Sequence, residues 1–108
     1  MIRRNKVLYN DRAAGNGTWY MLDYRYEQDQ TRSIQINMNA SDTIEIQGTT
    51  LEANDATALD AIIDTADITT LQTYTGNTDE NDVLSGPWTF IRAVKTGTNG
   101  VAKVQGQL

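Results

Sequence analysis

Apolar and polar residues alternate with period two along much of this chain, and that alternation predicts most of its elements. It is cleanest over residues 33–38, where Ile34, Ile36 and Met38 alternate with Gln35 and Asn37. Residues 43–48 repeat it with Ile44 and Ile46. Only a short break, with a turn marked by Ser41-Asp42, separates these two runs, so they read as an antiparallel pair. Residues 18–27 predict another strand, with Tyr20, Leu22, Tyr24 and Tyr26 on one face and Trp19, Met21, Asp23 and Arg25 on the other. Residues 68–74 predict one more. Near the C-terminus, residues 88–95 and 102–108 flank Asn99-Gly100, a dipeptide suited to positive φ, and the three together predict a hairpin. Its second strand carries Ala102, Val104, Gly106 and Leu108 on one face. In its first strand Phe90 and Ile91 are adjacent, which requires either cover on both faces or a bulge.

Elsewhere the rhythm changes. Over residues 54–66, Leu59, Ile62, Ile63 and Ala66 fall at helical spacing behind a cap at Asn54 or Asp55, which predicts a short amphipathic helix. Residues 75–86 are polar and read as a loop ending in Gly86-Pro87. Residues 1–12 read as an N-terminal arm or edge strand, followed by a glycine-rich turn. Together these elements predict an all-β fold: one domain over residues 1–108, a β-sandwich or jelly roll of about six to eight antiparallel strands with one short helix.

Composition narrows the chemistry. At 108 residues the chain suffices for one core. It has no cysteine and no histidine, so thiolate and imidazole ligands and the commonest general base are missing. The expectations are no catalytic residues, no metal and no cofactor. The stretch Asn77-Thr-Asp-Glu-Asn-Asp82 offers oxygen ligands but lacks the glycine and glutamate of a calcium-binding helix-loop-helix. No membrane-spanning run or signal-peptide core is present, which predicts a protein made in a cytoplasm, with no membrane partner. Net charge is −5, which argues against nucleic acid as a partner.

The charge is also unevenly spread: residues 33–91 contain no lysine or arginine, while Arg3, Arg4, Lys6 and Arg12 cluster near the N-terminus. Those four, with the neighbouring aromatics Trp19 and Tyr20, are the candidate docking residues. Aromatics supply much buried area at small entropic cost. The plainer reading is a solvated acidic surface and aromatics that cover a sheet, with Trp88 in the core.

The run from Gly86-Pro-Trp-Thr-Phe-Ile through Thr98-Asn-Gly-Val-Ala to Gly106 resembles the C-terminal hairpin of small β-sandwich virion proteins of tailed bacteriophages. Asn16-Gly-Thr-Trp-Tyr-Met-Leu-Asp-Tyr-Arg-Tyr26 and Ser41-Asp-Thr-Ile-Glu-Ile-Gln-Gly-Thr-Thr50 resemble the same class. The resemblance implies a non-enzymatic structural protein, assembled in the host cytoplasm and resident in the virion. Its partners would be other virion proteins, such as the major capsid or neck and tail proteins, and copies of itself, with a trimer the first expectation. Capsid decoration is the leading reading; a neck, tail, baseplate or fibre-attachment component is the alternative. A carbohydrate-binding module that stacks sugars on Trp19 and nearby tyrosines is the alternative from another class.

Overall fold

The alternating runs become pleated strands, and their apolar faces meet between two sheets. The computed structural model describes residues 5–22 and 31–108. Its elements are β1 (Asn5–Asp11), β2 (Gly15–Asn16), β3 (Tyr20–Met21), β4 (Thr31–Met38), β5 (Thr43–Thr49), α1 (Ala56–Asp60), a 3-10 turn (Thr65–Asp67), β6 (Thr69–Thr75), β7 (Thr78–Ser85), β8 (Phe90–Thr96) and β9 (Ala102–Gln107). The first sheet has the order β1-β9-β4-β7; the second has β2-β8-β5-β6, with β3 also on β8. Every pairing is antiparallel. The fold is an all-β sandwich with one short helix, as the alternation predicts. Among the described residues the strands number nine because β2 and β3 are two-residue pieces.

The connectivity differs from the sequence reading. β4 and β5 do not pair with each other, and neither do β8 and β9; each pair crosses from one sheet to the other. The same holds for β1 and β2 and for β6 and β7. The two sheets therefore stack in matching order, β1 over β2, β9 over β8, β4 over β5 and β7 over β6, joined at one end by four arches. A hairpin hydrogen-bonds its strands to each other, whereas an arch turns each strand's apolar face toward the other's. Both topologies need alternation and a turn, so the local pattern does not separate them.

Three further differences follow. The polar stretch read as a loop forms β7, an eight-residue strand paired along its full length with β4. It is an edge strand, where charged residues are tolerated and discourage unwanted pairing. Within residues 18–22, Trp19 and Leu22 are both buried, so one face does not take all the apolar residues; the remainder of the strand read over 18–27 lies outside the described residues. The helix shortens to α1, capped by Asp55, and a 3-10 turn capped by Asp64. Leu59 is buried, but Ile62 is exposed.

Two hydrophobic clusters result. The main one lies between the sheets and includes Leu8, Ile34, Ile36, Met38, Ile44, Ile46, Ile91 and Val104. The second lies on the outer face of β8, where Trp19, Leu59 and Phe90 pack with Leu51, Ile63 and Ile68. Phe90 and Ile91 thus belong to different clusters, and β8 is covered on both faces. Trp88 is half-buried at the rim of the main core, against Gly48, where a Cβ would stand 3.1 Å from the indole.

Candidate functional site

Lys95 continues the inward-facing row Ile91, Ala93 on β8 and is fully buried. A buried ammonium requires an anion and further acceptors. Asp42, in the β4–β5 arch, supplies the anion at 2.9 Å. The carbonyls of Arg12 and Gly97 complete the set, the first at 2.8 Å. Asp42 in turn accepts from the Asn99 side chain at 2.7 Å, from the Asn99 backbone at 3.0 Å and from the Gly100 backbone at 3.1 Å. Burial alone would raise the Asp42 carboxyl, but the bonds from Lys95, Asn99 and Gly100 outweigh it and hold the group well below the usual carboxylate range.

The remaining arches join the same network. The Gly76 amide donates to the Asp42 carbonyl at 3.0 Å. Arg12 donates from its guanidinium to the Asn99 carbonyl at 2.8 Å. The buried carboxylate and ammonium therefore tie three of the arches at that end, and the main-chain carbonyl of Asp42 joins the fourth. Gly97 sits beside this centre at φ +96°, a conformation that glycine adopts without penalty. Asn99-Gly100, read as a hairpin turn, is instead part of an inter-sheet arch held by Asp42.

The candidate docking residues separate. Arg3 and Arg4 lie outside the described residues. Lys6 is exposed on β1, which is the edge strand of the first sheet. Arg12 is engaged in the arch network. Trp19 is buried between Leu59 and Phe90, with the Arg92 guanidinium 4.4 Å from its ring centroid, so it is not a surface platform. Tyr20 is half-buried against the main core. Residues 5–11 form a strand of the sheet, with Leu8 in the core, so this part of the N-terminal segment is an edge strand and not a free arm.

Sequence reasoning missed Asp42 and Lys95. The available signal was Lys95 itself, a charged residue in phase with the buried Ile91 and Ala93. The calcium candidate stretch falls largely on β7, whose pleat sends Asp79 and Glu80 to opposite faces. Among the described residues no group of three or more carboxylates is placed to hold a metal ion, and no helix is long and apolar enough to cross a membrane.

The outer face of the first sheet is the other distinctive surface. Asn5 donates to Gln105 at 3.0 Å, and Gln105 donates to Gln35 at 3.1 Å, which forms an amide ladder across β1, β9 and β4. With Ser33, Asn81 and Gln107 these residues line a shallow depression of about 170 Å³. No protein-family model matches the chain, and no curated protein is similar to it in sequence.

Proposed function

We propose that this chain is a non-enzymatic structural protein of a tailed-phage particle that works by docking, as a capsid decoration protein or as a neck or tail component. The phage class comes from the resemblance of the three sequence runs above. The observation that supports docking is the position of β1: the chain's first described strand, which follows Arg3 and Arg4 in sequence, lies at a sheet edge with Asn5, Lys6 and Val7 exposed. Exposed strand edges bind partners through main-chain hydrogen bonds. A sandwich whose end is fixed by a buried ion pair presents such an edge with little reorganisation. The test is quantitative mass analysis of purified particles: hundreds of copies would indicate decoration, a dozen or fewer a neck or tail position, and none would reject the reading.

The amide ladder favours a second reading, a glycan-binding module. Fixed side-chain amides offer paired donors and acceptors to sugar hydroxyls. This site is on the outer face of the first sheet and not at Trp19. A glycan array run with the wild type and Gln105→Ala decides it: no signal, or one unaffected by the substitution, rejects this reading.

A further inference from the structure

We infer that the first sheet continues from one copy of this chain into the next, β1 of one copy pairing with β7 of its neighbour. The inference rests on the assembly reading above for its setting and on the two edges of the sheet for its content.

The two edges differ in charge. β1 carries Lys6 near its start and Asp11 at its end and is preceded in sequence by Arg3 and Arg4, whereas β7 carries Asp79, Glu80 and Asp82 and no basic residue. Among the described residues neither strand has a neighbour on its outer side. Their lengths match, at seven and eight residues. Their directions also fit. All pairings in the sheet are antiparallel, so β1 and β7, at opposite ends of a four-strand order, run in opposite directions. A second copy related by rotation about an axis along the strands brings its β1 antiparallel to β7.

The register places the charges on one face. Lys6 is opposite Gly106, Gly106 is opposite Ile34, and Ile34 is opposite Asp82. Lys6 therefore points to the same side of the sheet as Asp82 and as Glu80, two residues away. In a continued sheet the ammonium lies beside those carboxylates. Like charges oppose the symmetric alternative of β7 on β7, whose charged residues are all acidic. Such charge patterns select a head-to-tail contact, which closes into a ring when the rotation allows and otherwise extends as a filament.

Size predicts a weak single contact. A seven-residue strand is about 23 Å long and the smallest extent of the molecule is 19 Å, so a rim of that section offers about 440 Å² per copy. That is about half of a standard interface side. The bulge between Val7 and Tyr9 further confines regular pairing to the half of β1 that carries Lys6. Two such contacts per copy in a closed ring give the stability that one lacks.

Sedimentation velocity of the full chain over a concentration series at low salt tests the pairing. The wild type forms reversible oligomers, and raising salt to about 1 M dissociates them. Lys6→Glu and Glu80→Lys each weaken association on the order of tenfold, and the double variant returns to within about threefold of the wild type. Both side chains are exposed, and thermal melts check that the variants fold. If a charge reversal perturbs folding, Lys6→Gln and Glu80→Gln replace the single variants, each expected to weaken association. A wild type that stays monomeric, single variants that associate normally, or a double variant no better than the singles overturns the proposal. Particle incorporation is scored separately. Incorporation of a strictly monomeric chain rejects the edge pairing alone, and charge-dependent oligomers absent from particles reject the phage setting alone.

Discussion

At the residue scale, Asp42 and Lys95 depend on each other. Removing one member of a buried, hydrogen-bonded ion pair leaves the other charge without a counterion. Lys95→Ala is expected to lose about 3–5 kcal/mol in urea unfolding, far more than a surface lysine would. The Asp42 carboxyl titrates below its unfolded value. Its contribution is therefore complete above an unfolded pKa of about 4 and declines as pH falls through the acid range. Stability measured from about pH 5 to about pH 2 should fall with a slope that is reduced in Asp42→Asn. An equal slope in both proteins would place the acid sensitivity elsewhere. Gly97→Ala combines a positive φ with a Cβ directed at the Asp42 carboxylate, so it should lower the melting temperature clearly, whereas Gly15→Ala meets no neighbouring atom and has only its φ to satisfy.

At the element scale, the segment between β5 and β6 acts as a lid on the outer face of β8. α1 and the 3-10 turn are too short to persist alone. They are held by caps at Asp55 and Asp64 and by Leu59, which inserts beside Trp19 and Phe90. Trp19→Ala should therefore lose about 3–5 kcal/mol, the range for emptying a buried aromatic site. It should also raise hydrogen exchange in residues 51–68 before the sheets. Exchange that rises uniformly would mean the lid has no separate opening. Asp55→Ala, which removes one cap, should lose only about 1 kcal/mol. Trp88, half-buried at the rim, is expected to lose less than Trp19 on the same truncation. Deleting residues 1–9 would remove Leu8 from the core, so point substitutions on β1 test docking better than truncation does.

At the scale of the whole molecule, four stacked arches give a sandwich with one end tied by polar bonds and, among the described residues, with long strands at three of its four edges. The fourth edge, β2 and β3, is broken into two-residue pieces and has little ladder to offer. Association through the β1 and β7 edges should therefore be salt-sensitive, while the buried Asp42–Lys95 centre should not. Thermal melts in about 0.1 M and about 1 M salt should differ little under conditions where sedimentation changes strongly. Parallel losses in both would mean that folding and assembly share the same contacts.

The sequence alone determined the fold class, because period two in 33–38, 43–48 and 102–108 admits only half-buried strands. It also marked a short helical segment through Leu59 and Ile63, and through adjacent Phe90 and Ile91 it narrowed β8 to cover on both faces or a bulge, of which the structure takes the first. Tertiary structure alone decided which strands pair. Alternation around a short turn is the same for a hairpin and an arch, and the choice rests on contacts between residues far apart in sequence. Asp42 and Lys95, 53 positions apart, are one such contact. The polar run at residues 78–85 became a strand only because an edge strand leaves one side in water, where acidic residues remain solvated. Trp19 took a core position for a related reason: the lid that covers it comes from residues 51–68, and nothing in its own alternating segment signals that cover.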